Sequence, residues 1–277
     1  MSETAPDATI AVFLDLENIA LGAKESKYPR FDIQLVLERL LLKGNIVVKK
    51  AYCDFNRYKE FKKDLHEAAF ELIEIPHLSQ SGKNSADIRM VVDALDLCYQ
   101  KGHVDTFAII SGDSDFSPLV SKLRENAKTV IGVGVKNSSS GLFIGNCDQF
   151  IYYDDLVRKS SSKAKQKNRA AASKTAKKAV KKGTKNGNNG AEKSGPTLEE
   201  ALDRVVDTLE ALLEEREDDE IWGSMIKQAI KRRNPGFNER AHGFKSFNDL
   251  LEEADRRELV KITAEPKSGG YRVQSVD

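Results

Sequence analysis

"TFAIISGDSDFSPLV", residues 106–120, passes from an apolar run into two aspartates one residue apart and then into a second apolar run. The first half reads as a buried strand, because Phe107, Ala108, Ile109 and Ile110 form a short continuous apolar run bounded by Ser111 and Gly112. The second half reads as a helix start: Ser117 suits an N-cap, Pro118 the first helical position, and Leu119, Val120 and Leu123 keep helical spacing. Asp113 and Asp115 therefore fall in the turn that leaves a parallel strand. That is the carboxyl edge of an open α/β sheet, where such folds gather their ligands.

The same alternation runs through the first half of the chain. Apolar strands are expected near 10–15, 46–52, 71–75, 105–111, 129–134 and 149–153, with helical patterns near 31–43, 57–70, 87–101 and 116–126. Strands alternating with amphipathic helices give right-handed βαβ units around a parallel sheet. At 277 residues there is room for this domain and a second, smaller one.

Charge marks the boundary between them. Residues 1–156 carry 18 Lys and Arg against 23 Asp and Glu, a net of −5; residues 157–196 carry 13 against 1, a net of +12; residues 197–277 carry 13 against 19, a net of −6. The central stretch, with "KAKQKNRAAASKTAKKAVKKGTKNGNNGAEKSGP" at 163–196, has almost nothing to bury and reads as a disordered basic linker. Its charge would draw a polyanion with salt-dependent, sequence-independent affinity. Cys53, Cys98 and Cys147 are odd in number and widely spaced, which indicates neither a disulfide framework nor a zinc cluster and fits a reducing cytoplasm. No apolar run approaches the ~18 residues of a membrane span, and the polar, acidic start "MSETAPDAT" points to a protein that is not exported.

The first strand, "IAVFLDLEN" at 10–18, also ends in acid: Asp15, then Glu17 and Asn18 in the turn. If it neighbours the strand before Asp113, the two sets of carboxylates meet in one crevice. A third contribution comes from "SGKNSADIRMVVDAL" at 81–95, where a Gly- and Ser-rich loop enters a helix at Asp87. Carboxylates crowded together repel unless a cation neutralises them, and hard oxygen ligands select Mg²⁺ or Mn²⁺. Such ions activate water and clamp the oxygens of a phosphoryl displacement, which is what phosphodiester hydrolysis needs.

These stretches, "FLDLENIALG", "KNSADIRMVVDAL" and "AIISGDSDFSPLV", resemble the NYN domains, LabA-like members of the PIN-like nuclease superfamily, over roughly residues 8–156. The resemblance implies a PIN-like Rossmannoid parallel sheet sandwiched by helices. It implies metal-dependent endoribonuclease chemistry, with Asp15, Asp87, Asp113 and Asp115 as the acidic, metal-holding pocket. Asn18 and Ser111 would support the pocket by hydrogen bonding or water-mediated ligation. Glu17 stands where many relatives have a small or neutral residue.

A lone aspartate after a strand is ordinarily a cap or turn former; it is the set that points to metal. Asp93 lies six positions after Asp87, about 240° round a helix, so it reads as structural or solvent-facing, or as completing the pocket if the helix begins later. His66, His77, His103 and His242 are scattered and suggest no triad. Lys83, in the loop before Asp87, could hold a phosphate or be a solvated loop lysine.

In the last part, "TLEEALDRVVDTLEALLEE" at 197–215 places Leu198, Ala201, Leu202, Val205, Val206, Leu209, Leu212 and Leu213 on one stripe. Two further helices follow, then "ELVKITAEPKSGGYRV" as two strands around Gly269–Gly270, which together suggest a small α+β winged helix. "MIKQAIKRRNPGFNERAHGFKSFNDLLEEA" at 225–254 resembles the LOTUS or OST-HTH domain over about 197–275. That resemblance implies RNA binding, with a protein partner in some relatives. Lys227 and Lys231 share a helical face, and Arg232, Arg233, Arg240 and Lys245 extend the basic patch. Phe237, Phe244 and Phe247 read as core.

The sequence as a whole points to a cytoplasmic, RNA-processing nuclease of three parts: a nuclease domain at 1–156, the linker at 157–196 and a winged helix at 197–277. The different-class alternative is a non-catalytic RNA-binding adaptor with a degenerate acidic pocket.

Overall fold

The computed structural model describes residues 7–75, 85–162, 197–215, 220–265 and 270–276. Lys83, Gly269 and the basic stretch 163–196 lie outside the described residues. The chain divides into two compact units, with the division falling inside 163–196.

Six strands form the first unit: β1 Ala8–Asp15, β2 Gly44–Cys53, β3 Glu71–Glu74, β4 Thr106–Ile110, β5 Thr129–Gly134 and β6 Gln149–Tyr152. All pair in parallel, in the order β3-β2-β1-β4-β5-β6. Parallel strands need covering on both faces, which explains why β1 and β4 are continuous apolar runs rather than alternating ones. Ile10, Val12 and Leu14 face one core, joined by Leu16 and Ile19 of helix α1 (Leu16–Glu25), Val36 and Leu40 of α2 (Ile33–Leu40) and Leu65 of α3 (Lys62–Glu67). Ala11, Phe13, Phe107 and Ile109 face the other. There they meet Met90, Ala94 and Cys98 of α4 (Ser85–Gln100), Leu119 and Leu123 of α5 (Ser117–Glu125), and Phe143 of α6 (Gly141–Asn146).

The strand order reverses direction between β1 and β4. The chain leaves β1 into α1 on one face and leaves β4 toward α5 on the other, so a crevice opens between their carboxyl ends. This is the neighbourhood that the two acidic turns require.

Four local features differ from the sequence reading. Helix α1 begins directly at Leu16, without a loop, because Asp15 both ends the strand and caps the helix. A 3-10 turn, Ser114–Phe116, precedes α5; Asp113 caps it, and Ser117 makes no cap bond. The short α6 was not expected at all. Residues 153–162 are helical (α7), so a domain end placed at 156 falls within a helix.

In the second unit α8 (Leu198–Glu215), α9 (Gly223–Arg233) and α10 (Phe247–Arg256) pack with the antiparallel pair β7 (Val260–Glu265) and β8 (Gly270–Ser275). A bridge between Trp222 and Arg272 adds a short third rung, completing a winged-helix arrangement. The stripe of α8 is narrower than expected: Ala201, Leu202, Val205, Leu209 and Leu212 are buried, while Leu213 is exposed. Phe237, Phe244 and Phe247 are core residues.

Phe107 is fully buried in the first unit, its ring 6.0 Å from that of Phe13. Phe107→Ala should cost about 3–5 kcal/mol there. The single tryptophan, Trp222, lies in the other unit. Far-UV circular dichroism should therefore show an earlier transition while the Trp222 fluorescence transition stays in place.

Candidate metal centre

The crevice is built by two turns that bind each other. Asp15 is buried, 7% exposed, at the last position of β1. Its Oδ1 accepts from the Asn18 amide at 3.3 Å, capping α1, and its Oδ2 accepts from Ser111 Oγ at 2.9 Å. The fully buried Ser111 hydroxyl in turn accepts from the Asp113 amide at 3.2 Å. A hydroxyl has one proton, so this amide commits it to Asp15. Asn18 Oδ1 closes the second link, accepting from the Gly112 amide at 2.8 Å. A Cβ on Gly112 would lie 2.5 Å from the Ser138 carbonyl oxygen, so only glycine lets the turn pass so close to that loop. Asn18 and Ser111 thus hold the β1 and β4 turns in register, and Asp15 acts as helix cap and cross-link at once.

Helix α4 brings Asp87 in its first turn. Further along, Asp93 anchors the helix to the sheet. It accepts from Tyr52 Oη at 2.8 Å and from Arg89 Nε at 2.9 Å, with Lys50 Nζ at 3.5 Å. Burial opposes its charge, but these donors win and hold its carboxyl below the usual range. Asp93 is a structural anchor.

The crevice carboxylates have the opposite character. Burial, then the charge of Asp87, pushes Asp15 up to about 7, and Asp113 adds to the shift against the hydrogen bonds from Ser111 and Asn18. Burial, then the charges of Asp113, Asp115 and Glu17, pushes Asp87 up to about 6. The charges acting on both groups are other carboxylates, with no lysine or arginine among the leading contributors. An all-oxygen acidic donor set of this kind suits Mg²⁺ or Mn²⁺. As the side chains stand, no three acidic, His or Cys residues among the described residues close on one point. Rotation of half-buried Asp87 and Asp113 and exposed Asp115 would be needed to bring them together, and mutual repulsion is what keeps such groups apart.

Two further acids share this edge and were not singled out from the sequence: Asp54, just after β2, and Glu74, at the end of β3. Burial raises the Cys53 thiol, and Glu17, Asp15, Asp54 and Glu74 all add to it, so an acidic rim follows four adjacent strand ends. Their signal was legible, since each closes a strand that the pattern had located.

In the second unit, Lys231 and Arg240 border a concavity of about 570 Å³ formed with Pro235, Gly236, Phe237, Asn238 and Glu239. Lys245 is exposed outside it, and Arg232 and Arg233 are half-buried. Lys227 is engaged internally, 3.0 Å from Glu239 and 5.6 Å above the Phe247 ring.

Comparison with known proteins identifies both units. The NYN domain family matches residues 9–155. The chain belongs to the NYN family. An OST-HTH/LOTUS domain match follows at residues 200–268. An uncharacterized protein of Methanocaldococcus jannaschii is 28% identical over 138 residues, 50% of this chain and 54% of the relative. The chain thus spans about half the length of that curated relative. A crystal structure of a protein of unknown function from Vibrio parahaemolyticus is similar with a TM-score of 0.49 and 25% identity, covering 56% of this chain and 98% of that one. NYN domains belong to the PIN-like nuclease superfamily, and the acidic crevice of this NYN domain sits where its sheet reverses. No helix among the described residues is long and apolar enough to cross a membrane.

Asp15 ionises near 7 in the folded crevice against an ordinary value of 3.8. Folding therefore favours its protonated form. That stabilisation is present below pH 4 and lost as pH rises to about 7. Each tenfold change in proton affinity is worth ~1.4 kcal/mol, so the decline can reach about 4 kcal/mol. In EDTA, denaturant titrations of the first unit should show this decline, and Asp15→Asn, which removes the ionisable group and keeps one oxygen for the helix cap while turning an amide nitrogen toward Ser111, should flatten it.

Proposed function

We propose that the chain is a cytoplasmic, metal-dependent ribonuclease that hydrolyses RNA phosphodiester bonds in the crevice between β1 and β4. The observation that carries this reading is the buried Asp15 carboxylate, tied to the β4 turn and surrounded by the charges of Asp87 and Asp113. Asp15, Asp87, Asp113 and Asp115 would hold one or two Mg²⁺ or Mn²⁺ ions, with Glu17 and Asp54 on the same rim. A bound divalent ion supplies Lewis-acid polarisation of the phosphate and a lowered pKa for water. The chain's own residues then do the positioning. Ser111 fixes the orientation of Asp15, and Asn18 fixes the turn that presents Asp113 and Asp115. Water is the nucleophile, and no side chain becomes covalently attached.

The C-terminal domain would recruit RNA. OST-HTH/LOTUS domains are known for RNA binding, and Lys231, Arg232, Arg233, Arg240 and Lys245 supply cations on this one, with Lys227 behind them stabilising Glu239. The basic stretch 157–196 would add sequence-independent attraction between the domains at 1–156 and 197–277. Lys83, in the sequence just before Asp87, would add a cation for the RNA phosphates. A protein partner on the LOTUS domain is compatible with the same surface. A second reading, a non-catalytic RNA-binding adaptor, is favoured by the open arrangement of the carboxylates.

Labelled single-stranded and structured RNA incubated with Mg²⁺, Mn²⁺ or EDTA separates the two. Cleavage should require metal and fall at least about 100-fold in an Asp113→Asn, Asp115→Asn double variant, with RNA binding kept. Tight binding with no cleavage of any RNA would establish the adaptor.

A further inference from the structure

Helix α4 buries one face and leaves a second apolar stripe in water. Met90, Ala94 and Cys98 pack into the core, whereas Ile88, Val92 and Tyr99 are 63%, 55% and 62% exposed, with half-buried Leu95 between them. The four residues follow at intervals of four, three and four, the seam spacing of a two-stranded coiled coil, and so stand in one line along the helix. The outer face of a surface helix ordinarily carries polar groups. A contiguous row of large apolar side chains there marks an interaction surface.

We propose that this stripe docks a second copy of the chain, α4 against α4 and antiparallel, about a two-fold axis between Val92 and Leu95. The stripe is self-complementary about that point: Ile88 meets Tyr99 of the second copy, and Val92 meets Leu95. Charge selects both the partner and the direction. Arg89 and Asp96 are seven residues apart and flank the same side of the stripe. Parallel pairing would set this flank against the other flank of the second copy, where Val91 and Cys98 carry no charge, whereas antiparallel pairing sets it against itself and brings Arg89 of each copy, bonded to its own Asp93 through Nε, within about 3 Å, measured along the axis, of Asp96 of the other. A flank carrying one charge of each sign gives a polyanion nothing to prefer. The pairing also leaves the crevices clear, since it separates the two Asp87 residues by about 20 Å along the helices. Four side chains over ~17 Å of helix fall short of the roughly 800 Å² per partner of a stable complex, so association should be weak, in the micromolar range.

Sedimentation velocity of the full chain from about 1 to 100 µM tests this. Wild-type mass should rise from 30.8 kDa toward twice that value. Val92→Glu, at an exposed position, should keep its thermal unfolding profile and remain monomeric throughout, and Tyr99→Lys should do the same if Val92→Glu perturbs folding. Asp96→Arg should weaken association at least about 10-fold. A wild-type monomer at the highest concentration would overturn the proposal, as would a dimer indifferent to Val92→Glu and Tyr99→Lys. Loss of RNA affinity in Val92→Glu with no change in mass would overturn it too, assigning the stripe to nucleic acid.

Discussion

A carboxylate removed from water at the end of β1 is the constraint around which the first unit is arranged. Burying Asp15 is unfavourable unless its oxygens are satisfied, and the two groups that satisfy them come from different places in the chain: the first turn of α1 and Ser111 at the end of β4. The same bonds that solvate Asp15 therefore splice the two central strands at their carboxyl ends. The Asn18 to Gly112 link repeats the splice from the α1 side. What remains uncompensated is charge, because the neighbours that reach Asp15 and Asp87 electrostatically are acids. Hydrogen bonds that hold like charges together leave a negative charge that a bound cation would offset.

Helix α4 serves this arrangement from the other side of the sheet reversal. Its middle is pinned to β2 through Asp93, Tyr52 and Lys50, a satisfied cluster with the ordinary electrostatics of a structural ion pair. That anchor fixes where the first turn, and so Asp87, stands. The contrast between Asp93, held low by donors, and Asp87, raised by burial and by other carboxylates, separates support from site within six residues of one helix.

The fold class was legible because both faces of this sheet are covered. β1 and β4 are unbroken apolar runs that end in acid, and the NYN and OST-HTH resemblances rest on those same turns and on 225–254. The order of the strands was not legible, since parallel pairing is set by contacts distant in sequence. Helix α1 escaped notice because no breaker separates it from the strand, Asp15 serving both. Helix α6 escaped because six residues with glycines at positions 141 and 145 carry no helical period. The separation of Asp93 from Asp87 was legible, because it depends only on helix geometry. Lys227 could not have been separated from Lys231 by sequence, as its partner Glu239 arrives from beyond the end of α9.

Electron paramagnetic resonance of Mn²⁺ titrated into the full chain tests whether the crevice carboxylates form a divalent-cation site. One or two saturable sites are expected, with affinity reduced at least about 10-fold in Asp15→Asn and in Asp87→Asn, while Glu125→Gln, at the end of α5 distant from the crevice, leaves Mn²⁺ stoichiometry and affinity unchanged. Mn²⁺ binding unaffected by Asp15→Asn and Asp87→Asn, or no binding by the folded wild-type chain, would contradict such a site.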